Sequence, residues 1–180
     1  MIFKGKVALV TGGNKGIGLA IASEFKRNGA TVIATARKDI DIENLELNGY
    51  IPVKLDVSSD DSIHQMQLEL AEKNLKPDIL INNAGWAELN LLSKTSIDSW
   101  NETINTNLNS VFKLTKIFTK HMSKNKFGRV INISSVLSAS PQKGFSSYSA
   151  SKSAIESFTR VAALEYAKRG VTFNCIAPGF

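Results

Sequence analysis

The stretch "KVALVTGGNKGIGLAIASEFKRNGATVIATAR", residues 6–37, changes its hydrophobic period twice. It begins as a short apolar run ending in glycine, the pattern of a strand buried on both faces. Leu19, Ala22 and Phe25 then recur at helical spacing, and Gly29 stands where a helix ends. A second apolar run, "ATVIATAR", follows at once. Strand, helix and strand within about thirty residues make a βαβ unit, whose two strands must be parallel because the crossover returns the chain to the same end of the sheet.

The same alternation continues outward. "IPVKLDV", "PDILINNAG", "GRVINISS" and "VTFNCIA" read as the third to sixth strands, and helices fill the intervals. Ser58 and Asp61 form a capping-box start to a helix whose Ile63, Met66, Leu70 and Ala71 share a face. Leu108, Val111, Phe112, Leu114, Ile117, Phe118 and Met122 spread too widely for one core-facing stripe, so their helix is expected to bury two sides, one against the sheet and the other against a second copy of the chain, with tight packing inside one chain as the alternative. The prediction is an α/β fold: a doubly wound parallel sheet in three α/β/α layers, forming one domain over residues 1–180.

Composition fits that fold. With 43% hydrophobic and 21% charged residues, the chain resembles an ordinary globular protein rather than a disordered or membrane-embedded one. Its apolar runs are too short to span a bilayer, and "MIFKGKVALVTGG" lacks the long apolar segment of a signal peptide, so the cytoplasm is the expected compartment. Cys175 is the single cysteine and is expected to be a buried structural thiol. His64 and His121 are far apart and lack neighbouring ligands, so no metal site is expected. The net charge of +6 suggests an anionic partner. Nucleic-acid motifs are absent, which leaves a phosphorylated cofactor or an acidic protein.

A parallel sheet of this kind binds ligands outside the carboxyl ends of its strands. Those ends read "TGGNKGIG", "TARK", "LDV", "NNAG", "NISS" and "APGF". The first of them, with Gly12, Asn14, Lys15, Gly16, Ile17 and Gly18, lies between a strand and a helix, where backbone amides and the positive end of a helix can hold a pyrophosphate. Its spacing departs from the plain G-x-G-x-x-G fingerprint, and a merely structural turn is the competing reading. Arg37 stands where a carboxylate would select NAD, and with Lys15 it points to the 2′-phosphate of NADP(H). Asp39 is the competing feature there, and two exposed basic residues are the plain alternative. In "LDV", Asp56 beside Val57 can accept from an adenine amino group or serve only as a surface carboxylate ahead of a helix. In "NNAG", Asn83, Ala84 and Gly85 allow the backbone to approach a cofactor, unless they form no more than an Asx turn.

Taken together, "TGGNKGIG", "NNAG", Ser135 placed thirteen residues before Tyr148, the Tyr148-x-x-x-Lys152 pair and "PG" after the sixth strand resemble the short-chain dehydrogenases/reductases, and the resemblance covers essentially the whole chain. It implies a Rossmann-type fold and hydride transfer with a nicotinamide cofactor. Tyrosine, with a pKa of about 10, is a poor base at neutral pH, and an ammonium four residues along a helix favours its phenolate. On the resemblance, Tyr148 exchanges a proton with a carbonyl or alcohol oxygen, Ser135 rather than Ser134 stabilises charge on that oxygen, and Lys152 also holds the nicotinamide ribose. Asn107 matches the family's structural and proton-relay asparagine, with Asn105 and Asn109 as ordinary surface amides. Tyr148, Lys152, Pro178 and Gly179 join the cofactor set.

Within the family, "NNAGWAELNLL", "FGRVINISS", "SYSASKSAIESFTR" and "RGVTFNCIAPGF" look most like bacterial 3-oxoacyl-(acyl-carrier-protein) reductases, which reduce a β-keto thioester with NADPH in fatty-acid biosynthesis. Other members reduce sugars, steroids or small ketones. The resemblance also implies a homodimer or homotetramer, and an acidic carrier docking at Arg129 and Arg169 beside Lys168. Family members continue past "APGF" into a substrate-covering segment and a seventh strand. The sequence therefore reads as a C-terminally truncated member with an incomplete substrate pocket, and a non-catalytic NADP-binding or interaction protein is the alternative of another class.

Overall fold

The computed structural model describes residues 1–179, so Phe180, the end of "APGF", lies outside the described residues. Among those residues, six parallel strands form one sheet in the order β3-β2-β1-β4-β5-β6: β1 (Val7–Val10), β2 (Thr31–Ala36), β3 (Ile51–Lys54), β4 (Ile79–Asn82), β5 (Gly128–Ile133) and β6 (Val171–Ile176). Six helices cross between them: α1 (Gly16–Arg27), α2 (Asp39–Leu47), α3 (Asp60–Glu72), α4 (Ile97–Ile104), α5 (Ser110–Lys124) and α6 (Ser146–Tyr166). This is the doubly wound, Rossmann-type α/β fold that the alternation predicts. The strand order reverses between β1 and β4, which opens a crevice at their carboxyl ends.

Period-two alternation explains why both faces of the central strands are apolar. Leu9, Ile33, Leu80 and Val130 point to one side, where Met66 of α3, Leu114 and Phe118 of α5 and Ala162 of α6 cover them. Ala8, Val10, Val32, Ile79 and Ile81 point to the other side, against Ala22 of α1. Edge strand β6 departs from this pattern. Val171 and Phe173 are buried, while Thr172, Asn174 and Ile176 face outward and are exposed, so this strand is covered on one face rather than two.

Several local expectations change. The cap of α3 is Ser59, whose hydroxyl accepts from the Ser62 amide, because Ser58 is drawn back to the Asp56 carboxylate. Ile63, Met66 and Leu70 are buried as expected, but Ala71 has turned out to solvent. Within the single chain, α5 buries the stripe Val111, Leu114, Phe118 and Met122, with Ser110, Thr115 and Thr119 between them. Leu108 precedes this helix in a π-helical turn, Asn105–Asn109, and Phe112 is 51% exposed and set edge-on to Phe158 of α6. Cys175 is half-buried rather than buried, with its sulfur 3.1 Å from the Thr159 hydroxyl; burial raises its thiol pKa. Among the described residues, no helix is long and apolar enough to cross a membrane, and no three His, Cys, Asp or Glu side chains group as metal ligands.

Candidate active site

The glycine turn after β1 is built for close approach. Gly16 opens α1 with φ +53°, a left-handed conformation that favours glycine, and open space lies where its Cβ would be. A Cβ on Gly18 would sit 2.2 Å from the Gly12 carbonyl oxygen, so only glycine lets α1 start so near β1. α3 and α4 begin with serine caps, but Lys15 at the start of α1 makes no side-chain cap and the first turn carries no acidic residue. The first-turn amides of α1 are thus left for an outside acceptor, at the positive end of the helix. Asn83 fixes this turn to β4. Its Nδ2 donates to the carbonyls of Thr11 (2.9 Å) and Gly12 (3.2 Å), and the Thr11 hydroxyl accepts from the amides of Asn83 and Ala84.

The candidate catalytic groups come from the end of β5 and the first turns of α6. Ile17, Asn83, Gly85, Ser135, Tyr148, Lys152, Pro178 and Gly179 line one cavity of about 420 Å³, with Trp86, Leu137 and Phe145 as apolar wall. Sequence positions up to 162 residues apart (17 to 179) therefore meet at one site. The four-residue spacing holds Tyr148 and Lys152 on one face of α6, with Lys152 Nζ 5.5 Å from the Tyr148 ring centre. Lys152 is 4% exposed and donates to the Ile133 carbonyl at 2.7 Å. Burial lowers its ammonium pKa to about 8.

Ser134 and Ser135 differ sharply in what holds them. The Ser134 hydroxyl, 2% exposed, donates to Glu156 Oε1 at 2.7 Å and is consumed in structure. Ser135 Oγ accepts from the Leu137 amide at 3.2 Å, which leaves its proton for another acceptor. Asn107 is fully buried in the π turn. Its Oδ1 accepts from the Trp86 amide (2.7 Å), and its Nδ2 donates to the Trp86 carbonyl (2.8 Å) and to Ser151 Oγ (3.1 Å). A Cβ built on Gly85 would meet Asn107 Oδ1 at 3.4 Å and Lys152 Nζ at 3.6 Å, so both groups converge on that glycine. Asn105 and Asn109 bond only to each other, at the surface.

A separate cavity of about 390 Å³ is lined by Arg37, Lys54, Asp56, Ser62, Gln65, Met66 and Glu69. Asp56 is turned towards Ser58, accepting from its amide and hydroxyl. Burial pushes the Asp56 carboxyl pKa up, but the Ser58 hydrogen bonds and the Arg37 charge outweigh that and hold it below the usual range. Val57 points into the core, so only its backbone can face a ligand. Asp39, the competing carboxylate, pairs with Lys54 at 2.6 Å. Neither cavity includes Lys15, which is exposed in the turn between them.

Some of the site is silent in the sequence. Glu156 ties down Ser134 and Ser138 on either side of Ser135, and those hydroxyl bonds lower its carboxyl pKa. A polar chain runs from Asn82 through Asn132 to Thr159 across β4, β5 and α6. Only the one-turn offset of Glu156 from Lys152 on a helix was available as a signal. Arg129, by contrast, lies at the amino end of β5. Its guanidinium donates to the Gly170 carbonyl and stacks on Phe127, so Arg129 and Arg169 gather at the opposite end of the sheet from Tyr148.

Comparison with known proteins agrees with this geometry. Residues 6–180 match the short chain dehydrogenase family. All of the chain aligns with three quarters of the 3-oxoacyl-[acyl-carrier-protein] reductase FabG of Pseudomonas aeruginosa at 44% identity. The proteins of that name from Salmonella typhimurium and Escherichia coli align over the same shares, at 40% and 39% identity. A glycine turn beneath an uncapped helix, a crevice at the strand reversal, and a match over nearly every residue together show that the chain belongs to the short-chain dehydrogenase family.

Proposed function

We propose that the protein is an NADPH-dependent carbonyl reductase acting on a 3-oxoacyl thioester carried by an acyl carrier protein, in fatty-acid biosynthesis. The observation that carries this reading is the shared cavity, in which Ser135, Tyr148 and Lys152 border the same space as Ile17 of the glycine turn and Asn83 of β4. The residues present fit a dinucleotide: the start of α1 has amides without a cap, and Gly18 lacks the side chain that would close the approach. A bound nicotinamide supplies the hydride.

The chain's own residues do the rest. Tyr148 passes a proton to the carbonyl oxygen, and the Ser135 hydroxyl donates to that same oxygen, where negative charge develops. Lys152, held by the Ile133 carbonyl and short of solvent, sets a cation beside the Tyr148 ring and would hold the ribose hydroxyls. Asn107 fixes Trp86 and Ser151 around it. A bound dinucleotide would be held by Gly12, Asn14, Lys15 and Gly16 at its pyrophosphate, by Arg37 at its 2′-phosphate, by Asp56 and the Val57 backbone at its adenine, and by Pro178 and Gly179 at its nicotinamide. The printed names of the relatives support the thioester, and Trp86, Leu137 and Phe145 give its acyl chain an apolar wall.

Arg129 and Arg169 offer an acidic carrier a basic surface at the far end of the sheet from Tyr148, and the protein assembles as a homodimer or homotetramer. A substrate panel tests the reading. NADPH oxidation with an acetoacetyl thioester in preference to free ketones or sugars is expected. Faster turnover of a free carbonyl places the protein among the family's other reductases, and NADPH binding without turnover of any substrate marks a non-catalytic binding protein.

A further inference from the structure

The adenosine cavity holds a charge arrangement that Arg37 alone does not explain. In the parallel register Lys54 of β3 is paired with Ala36 of β2, so it stands beside the residue that leads into Arg37. Two residues past Arg37, in the first turn of α2, comes Asp39. Lys54 Nζ lies 2.6 Å from Asp39 Oδ1, and both side chains are largely exposed. Arg37 and Lys54 line the cavity together with Asp56.

A neutral Lys54 would leave Arg37 facing Asp56 and the Lys73-paired Glu69 in the cavity wall, with Asp39 unpaired beside them. A carboxylate at the end of the second strand accepts ribose hydroxyls and repels a phosphate, which is the usual means of choosing NAD. Asp56 is already engaged by Ser58, so Asp39 is the carboxylate still able to play that part. We propose that Lys54 determines the preference for the phosphorylated cofactor by neutralising Asp39, so that Arg37 can hold the 2′-phosphate without the Asp39 charge opposing it. An exposed ion pair adds little stability, about 0–1 kcal/mol, so its effect here lies in the charge it cancels. The pair is a built-in screen rather than a structural staple, and it rests on the reading that this cavity takes an adenosine 2′-phosphate.

Binding measured by cofactor titration, without substrate, tests the idea on the parent, Lys54→Met, Asp39→Asn and the double variant. Both side chains are exposed, so each variant should keep the parent's melting temperature. Lys54→Met is expected to weaken NADPH about tenfold and to leave NADH unchanged or tighter, as befits loss of one charge near a phosphate. Asp39→Asn should bind NADPH as well as the parent or better, and the double variant should return to within about threefold of the parent. Raising salt should shrink the difference between parent and Lys54→Met. An unchanged NADPH-to-NADH ratio in Lys54→Met overturns the proposal, and so does a double variant as weak as Lys54→Met. A parent that binds NADH more tightly than NADPH instead overturns the cofactor reading beneath it.

Discussion

Lys152 is buried with its charge turned to a backbone carbonyl, and the cost of that burial has a sign. Its ammonium pKa falls from 10.5 to about 8 because desolvation penalises the charged form. Below pH 8 the folded and unfolded chains both hold the proton, and the folded one bears a penalty on the order of 3 kcal/mol. Between pH 8 and 10.5 the folded chain gives up its proton first, the unfolded chain binds more, and stability from this residue rises with pH. The urea midpoint of the parent, relative to Lys152→Met, is therefore expected to climb across that window. Parallel profiles for the two proteins would show that Lys152 titrates as an ordinary exposed lysine. The same burial makes Lys152 a charge that its neighbours feel strongly, since little water screens it.

At the level of elements, α6 grips the end of β5 with two opposite charges one turn apart. Lys152 donates to Ile133, and Glu156 accepts from Ser134 and Ser138, so the turn carrying Ser135 is pinned from both sides. Glu156→Leu leaves the buried Ser134 hydroxyl without this partner and is expected to lower stability by about 1–3 kcal/mol, whereas Glu156→Gln keeps an acceptor and should recover most of it. A lower urea midpoint at unchanged slope is the signature, and equal midpoints for Leu and Gln would contradict the clamp. The sequence shows why such contacts were missed. Strands were legible because apolar runs buried on both faces carry a local signal, as did Tyr148 and Lys152 at helical spacing. The partners of Glu156 are 18 and 22 residues away, and those of Lys54 are set by strand register, so no local pattern reports them. The π turn that seats Asn107 between α4 and α5 carries no such local signal either. Likewise, adjacent serines at 58 and 59 look alike until Asp56 claims one of them.

Across the whole molecule, the sheet sorts function by its two ends. Carboxyl ends collect the glycine turn, Arg37, Asn83, Ser135 and Gly179, while the amino ends of β5 and β6 carry the basic residues suited to an acidic partner. The fold and the membership of the candidate site were legible because strand-end positions are few and the βαβ order assigns each one. What was not legible was spatial: which serine caps α3, which carboxylate is already paired, and that Arg129 lies far from Tyr148. The central claim is that the Tyr148 hydroxyl transfers the proton in an NADPH-dependent reduction. Its most direct measurement is single-turnover NADPH oxidation with an acetoacetyl thioester, comparing the parent with Tyr148→Phe at matched cofactor occupancy. A fall of about a hundredfold or more, with NADPH affinity unchanged, is predicted. A rate for Tyr148→Phe within about threefold of the parent would contradict the account.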